Sequence, residues 1–287
     1  MRNLQSGFTL VEMIMVIVIT GIIGGMVAVF LNAPVRQYVD VARRADMTDI
    51  ADTALRRIGR DLRLALPNSV RVTTVGSNAY LEFLPTTAGG RYRAAADSTP
   101  TTTGCGSAVA NVLDFTAADT CFQVLGTMPP AFTGGESVVV YNLGITGATA
   151  YDNTSRTTTA VGIAGDTLNI AAPGKQFPFV SPSHRFQIIT TPVTYVCNAP
   201  ATNAAGNGTG TLIRWQGYAI QSAQPITLPT TGTPSASVLA NHVSACNFSY
   251  SNRVVAERSG LVTMNLGITE SNETVTLYSA THVSNVP

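Results

Sequence analysis

Gly7-Phe8-Thr9-Leu10-Val11-Glu12 opens an almost unbroken apolar run that continues to Leu31. At about 1.5 Å of rise per helical residue, Phe8 to Leu31 spans roughly 36 Å, against about 30 Å of bilayer hydrocarbon. The stretch therefore predicts one membrane-crossing helix. Its single acid, Glu12, lies inside the apolar run, where a carboxylate costs at least a few kcal/mol and marks a functional position. Ahead of it stands a seven-residue leader, residues 1–7, with one basic group, Arg2, and a closing glycine.

Two simpler readings fit less well. A secretory signal has an apolar core of about 7–15 residues and a small-residue cleavage site at its far end. This run is longer, and Asn32-Ala33-Pro34 is no Ala-x-Ala site. A plain signal anchor accounts for the length but for neither Gly7 nor Glu12. The combination resembles the processing site of type IV prepilins and pseudopilins, in which a membrane peptidase cuts after the glycine and the new amino terminus is methylated. That resemblance makes Gly7 the residue before the scissile bond and Phe8 the N-methylated terminus. It makes Glu12 the subunit-assembly acid, five places into the mature chain. A charged amine from the next subunit, buried beside Glu12, would pair a charge otherwise unsatisfied.

Composition points away from the cytoplasm. Charged residues are 11% of the chain, against roughly 25% in an average soluble domain. Twelve of them fall between Arg36 and Arg63. The remainder has a neutral Thr/Ser/Asn/Gly surface. A net charge of +1 leaves no footprint for nucleic acid, and none is expected as a partner. Cys105, Cys121, Cys197 and Cys246 read as two disulfides in an exported chain, with three possible pairings. The sequential pairing is preferred, because Cys105 and Cys121 flank a loop-rich stretch and Cys197 and Cys246 lie at strand ends. In the chain-entropy picture those bridges contribute about 3 and about 4 kcal/mol.

Beyond the apolar half, residues 8–31, the helix continues as an amphipathic half over 32–67. Pro34 lacks an N–H and should kink or briefly break it. Gly21, Gly24 and Gly25 read either as small-residue packing between membrane helices or, by the pilin resemblance, as a segment able to extend when the subunit leaves the bilayer. Met47, Ile50, Ala51, Ala54, Leu55, Ile58, Leu62 and Leu66 recur at helical spacing and form a stripe to pack on a sheet. Asp52–Arg56 and Arg57–Asp61 have the i,i+4 spacing of ion pairs, and Pro67-Asn68 should end the helix.

Residues 68–287 turn to period two. Expected strands are Ser69–Val75 and Tyr80–Leu84, as a hairpin around Gly76-Ser77-Asn78, then Asn111–Phe115, Cys121–Leu125, Glu136–Tyr141 and Thr167–Ala171. Arg185–Cys197, Thr211–Ala219, Val243–Tyr250, Leu261–Ile268 and Thr274–Val283 follow. Asp97–Gly104, Ala199–Gly210 and Leu228–Ser237 read as exposed loops. The fold class is α+β: a long N-terminal helix packed on an antiparallel sheet domain.

Chemistry is sparse, and the chain is not expected to be an enzyme or to hold a cofactor. Asp114 and Asp119 form no calcium loop, and Asp152-Asn153-Thr154-Ser155 reads as a turn. Ser181-Pro182-Ser183-His184 has no acid nearby, and no Gly-x-Ser-x-Gly elbow exists. His184, His242 and His282 are scattered, so no metal site is expected. Trp215 shares a strand face with Ile213 and reads as core.

Further segments carry the resemblance along the whole length: Ile58-Gly59-Arg60-Asp61-Leu62-Arg63 through Arg71, Tyr80-Leu81-Glu82-Phe83-Leu84, Gly90-Arg91-Tyr92-Arg93, His184-Arg185-Phe186, Cys246-Asn247-Phe248-Ser249-Tyr250 and the tail from His282. They resemble J-type minor pilins and pseudopilins, including those of mannose-sensitive haemagglutinin pili. The resemblance implies a pilin-like fold and a single-pass protein of the bacterial inner membrane. Its carboxy-terminal domain would be periplasmic, with incorporation into a surface pilus as a further step. Implied partners are the prepilin peptidase, other minor and major pilins and the inner-membrane assembly platform. Two functions follow from it: a minor subunit that starts or supports a type IV pilus or a type II secretion pseudopilus, and a tip-located adhesin-like binding module.

Overall fold

The computed structural model describes residues 7–96, 105, 111–254 and 259–287. Met1–Ser6 of the leader and the Asp97–Gly104 stretch lie outside them. The chain divides into two units, Met1–Met47 and Thr48–Pro287.

Helix α1 covers Leu10–Leu62. Thr9 caps it: its Oγ1 accepts the Glu12 N–H at 3.3 Å, and its carbonyl accepts the Glu12 and Met13 N–H groups at 3.1 and 3.2 Å. Thr9 and Glu12 thus hold the N-cap and N3 positions of a Thr-x-x-Glu box, which offers orphan amides a partner. No break occurs at Pro34, which stays inside the helix. A proline costs a helix about 3 kcal/mol locally, too little to divide one extended this far on both sides. Leu10–Ala28 is long and apolar enough to cross a membrane, and none of it is covered within the protein. Inside this segment the Thr20 hydroxyl donates to the Val16 carbonyl at 2.6 Å, so its polar group needs no water.

The helix stops at Leu62, short of Pro67. Leu64 and Ala65 tighten the exit with N–H bonds to the Asp61 and Leu62 carbonyls. The chain then peels away to pair: Ala65 bridges Pro85 and Leu66 N donates to the Leu84 carbonyl at 2.7 Å. Competition from this pairing, rather than Pro67, sets the end.

Among the described residues thirteen strands form: β1 Arg71–Val75, β2 Asn78–Phe83, β3 Thr86–Tyr92, β4 Cys121–Leu125, β5 Ser137–Val140, β6 Val161–Ala164 and β7 Thr167–Ile170. They continue with β8 Arg185–Ile189, β9 Val193–Asn198, β10 Gly210–Tyr218, β11 Gly232–Val254, β12 Ser259–Glu270 and β13 Glu273–Ser284. All pairings are antiparallel. One sheet has the order β1-β2-β9-β10-β11-β12-β13 and the other β5-β8-β3-β4-β7-β6. The architecture is α+β, an apolar helix followed by antiparallel sheet.

The seven-stranded sheet has two different faces. Leu81, Phe83 and Tyr195 are fully buried on one, with Phe83 and Tyr195 stacked at 6.4 Å between ring centroids. The helix residues Ala51, Ala54, Leu55, Ile58 and Leu62 are buried, and Gly59 passes so close to β13 that a Cβ there would lie 3.1 Å from Thr281 Oγ1. Tyr80, Val196 and Trp215 share the opposite face with Tyr218, and Ile213 packs against them. Gly217 makes that grouping possible. It sits in a bulge at φ 78°, where a Cβ would be 2.3 Å from the Thr233 carbonyl oxygen, and the bulge turns Tyr218 onto the Trp215 side. A second core of Phe122, Phe186, Leu168 and Val138 fills one face of the six-stranded sheet.

Several expectations are corrected. Arg185–Cys197 is two strands, β8 and β9, in different sheets; Pro192 between them has no N–H to continue a ladder. Asn111–Phe115 forms no strand, because the Asp114 carboxylate takes the Thr116 N–H at 2.7 Å and turns the chain. Leu228–Ser237 is not wholly loop: from Gly232 onward it pairs with β10, its polar residues being the exposed side of a ladder. Strands β3 and β6 were not anticipated. In β3, Gly89 and Gly90 are required by the close approach of Phe186, whose ring would lie 2.8 Å from a Cβ at Gly90. The expected Ala199–Gly210 loop is present, differing only in that Gly210 opens β10, and Ser271 N donating to Asn207 Oδ1 at 2.7 Å holds it to the β12–β13 turn.

Ile58 is wholly buried on the helix face. Ile58→Ala should lower the unfolding free energy by about 2–5 kcal/mol, measured by denaturant titration of the full chain in detergent.

Candidate functional site

Gly7 and Phe8 precede the first helical residue as exposed, non-helical backbone, and a side chain at Gly7 would meet nothing within 4 Å. Phe8 is 78% exposed, and Glu12 is exposed on the first turn. Gly7, Phe8 and Glu12 therefore stand close along one segment: two exposed residues before the helix and, one turn on, an exposed carboxylate on an apolar cylinder. An acid in a first helical turn is favoured by the positive end of the helix dipole. Sequence reading missed the Thr9 cap. Its signal was the Thr9-Leu10-Val11-Glu12 spacing itself.

Two polar clusters fix the β domain behind this helix, one on each face of the larger sheet. On the helix face, Asp61 Oδ2 accepts from Tyr195 OH at 2.6 Å and from Arg214 Nε at 3.0 Å. Asp61 thus joins strands β9 and β10, where the sequence spacing paired it with Arg57. Burial, and next the neighbouring Asp61 carboxylate, push the Tyr195 phenol well above its ordinary range. On the opposite face, Glu82 is 0% exposed. Its Oε2 accepts from Arg71 Nε at 2.6 Å and its Oε1 from Tyr218 OH at 3.0 Å. Arg71 lies 3.6 Å over the Tyr151 ring and donates to the Ser222 and Gln221 carbonyls. Burial raises the Glu82 carboxyl above its ordinary value, and Arg71 and Tyr218 pull it back only in part.

The remaining sequence candidates serve local structure. Asp152 Oδ1 accepts the Thr154 N–H at 3.0 Å and closes a turn. Asp119 accepts from the Asp114 and Cys121 amides. Ser181 and His184 end one tight turn: His184 N donates to the Ser181 carbonyl and Ser181 Oγ accepts from Arg185 N. Trp215 is 8% exposed, tilted against Tyr80 at 6.0 Å. Among the described residues no group of three metal-ligating side chains occurs. Cys105 is bonded to Cys121 and Cys197 to Cys246.

Residues 2–28 match the family signature described as the prokaryotic N-terminal methylation motif. That match supports a type IV pilin-like chain and membrane anchoring through the apolar helix. No curated protein and no solved structure matches the chain.

Glu82 gives a pH signature. With its folded value raised, its contribution to stability is complete below the ordinary 4.5 and is lost as pH rises through the raised value. Glu82→Gln cannot ionise. Wild type should therefore lose unfolding midpoint relative to Glu82→Gln as pH goes from about 4 to about 7, read by thermal melts of both proteins. Arg71→Met, which removes the cationic partner of the buried carboxylate, should cost about 3–5 kcal/mol at neutral pH.

Proposed function

We propose that this chain is a minor pilin or pseudopilin. It is cut by a prepilin peptidase between Gly7 and Phe8, N-methylated at Phe8, and assembled with other pilins through Glu12 and its exposed apolar helix. The methylation motif carries this reading. Its physical support is a helix whose Leu10–Ala28 surface is covered by none of the described residues, an apolar surface suited to lipid or to neighbouring helices. In this reading the protein crosses the bacterial inner membrane once, with Thr48–Pro287 in the periplasm. It works on the assembly platform to initiate or support a type IV pilus or a type II secretion pseudopilus. Within that class its segments are most like MshO of the mannose-sensitive haemagglutinin pilus, and an MSHA-like pilus is the proposed system. The role is structural rather than catalytic, supported by the use of Ser181, His184, Asp119 and Asp152 in turns.

The charge logic is specific. Glu12 in apolar surroundings is costly alone and gains from an incoming ammonium group. Such a pair sets helix-to-helix register, which apolar contact does not.

Two measurements test this. Intact-mass analysis of protein from cells with an active prepilin peptidase should show a chain beginning at N-methyl-Phe8; retention of Met1 would refute processing at this site. Glu12→Gln should leave cleavage and the unfolding midpoint of the β domain unchanged while reducing surface filaments and co-purification with sibling pilins. Normal filament numbers with normal co-purification would remove Glu12 from the assembly role.

A further inference from the structure

Strand β13 ends the seven-stranded sheet and is 12 residues long. The other terminal strands, β1, β5 and β6, have 5, 4 and 4 residues. Two of those short edges are covered. Arg71 and Thr73 of β1 bond the Gln221–Gln224 segment, and Val140 and Thr157 tie β5 to the chain at Ser155–Thr157. A long open edge is a template for pairing, and proteins ordinarily blunt it with lysine, proline or a bulge. Strand β13, Glu-Thr-Val-Thr-Leu-Tyr-Ser-Ala-Thr-His-Val-Ser, has no lysine and no proline, and its pairing with β12 runs without a register shift from Glu273 to Ser284.

The turn tells which groups face outward. Ser271 and Asn272 both have positive φ, 50° and 64°, the mark of a two-residue type I′ hairpin. Its closing pair, Glu270 and Glu273, is the hydrogen-bonded one, and bonded pairs alternate from there. The N–H and C=O groups of Thr274, Thr276, Tyr278, Ala280, His282 and Ser284 therefore point away from β12. All six of these residues are exposed, Tyr278 at 69%.

Beside this edge runs a groove of about 570 Å³ between the helix and Ser279–Thr281, walled by Arg56, Arg60 and Arg63. Arg56 is paired with Asp52 at 2.6 Å. Arg60 and Arg63 are exposed, and among the described residues no ion pair engages either. An edge that accepts a strand thus adjoins a cationic wall.

We infer that β13 and the Arg56–Arg60–Arg63 groove form a docking site for an extended, carboxylate-bearing segment of a partner protein, which adds to the sheet as an eighth, antiparallel strand. Main-chain bonds to the outward-facing residues hold it, as in other strand additions. Carboxylates in its first half, opposite Ser279–Thr281, reach Arg60 and Arg63 and fix its direction. The site is independent of processing at Gly7 and of Glu12.

The probe is a fluorescent Thr/Val-alternating peptide with two glutamates in its first half, titrated into the full chain in detergent and followed by anisotropy and by amide hydrogen exchange. Binding should slow exchange within Thr274–Ser284. Lysines in place of the glutamates should weaken it about tenfold, and N-methylation of alternate peptide nitrogens should abolish it. The double variant Arg60→Glu, Arg63→Glu should reverse the preference toward the lysine peptide. Tyr278→Pro removes an outward N–H at no cost to the β12 ladder, so it should block binding with an unchanged melting curve. The inference is overturned if the glutamate peptide does not bind, if binding ignores N-methylation or the charge reversal, or if β13 instead pairs two copies of this chain and excludes the peptide.

Discussion

Asp61 is where the helix acquires a fixed rotation and height on the sheet. The Ala51, Ala54, Leu55, Ile58 and Leu62 stripe is buried, but apolar contact is non-directional and tolerates sliding. A carboxylate oxygen held by Tyr195 at 2.6 Å and Arg214 at 3.0 Å tolerates much less. Strands β9 and β10 carry those partners at directly opposed positions, so one residue of the helix is pinned to the middle of the larger sheet. The close approach of Gly59 to Thr281 depends on the same placement.

The opposite face repeats this arrangement with a different balance. Glu82 is buried with Arg71 and Tyr218 as partners, and the desolvation of such a pair offsets much of its attraction. Arg71 reaches past Glu82 to the Gln221 and Ser222 carbonyls and covers Tyr151. It thereby links β1, the segment after β10 and the loop after β5. Both polar clusters lie on β9 and β10 or touch them, which makes these strands the common frame for helix and loops.

Much of this was legible in the sequence, for reasons that differ by element. The apolar run and its lone acid are a composition signal that no packing is needed to read. The helical stripe, apart from Ile50, which is exposed, and the alternating strands after Pro67 follow from period. The cysteine pairing is the sequential one expected, although Cys246 lies inside β11 rather than at a strand end. Glycine hid β3, because Gly89 and Gly90 are required by Phe186 rather than by any strand preference. The Arg71–Glu82 pair was within reach. With Gly76 and Ser77 as the turn, Val75 opposes Asn78 and counting back sets Arg71 against Glu82; a three-residue turn shifts that count by one. Asp61 with Tyr195 and Arg214 was not legible, since residues so far apart in sequence are joined only by the fold.

Asn68, just past the helix, has a bearing on how the molecule carries load. Its side-chain nitrogen donates to the Asn142 carbonyl at 2.9 Å and to the Asn285 carbonyl at 3.2 Å, while Asn142 Nδ2 returns a bond to the Pro67 carbonyl at 2.6 Å. Asn142 follows β5 of the smaller sheet and Asn285 follows β13 of the larger. A tug transmitted along the chain from the helix meets Asp61 first and then, a few residues on, a junction spliced to both sheets at once. Tension is divided between two scaffolds before it can begin to unravel the short first hairpin, as a rope is belayed to two anchors rather than one.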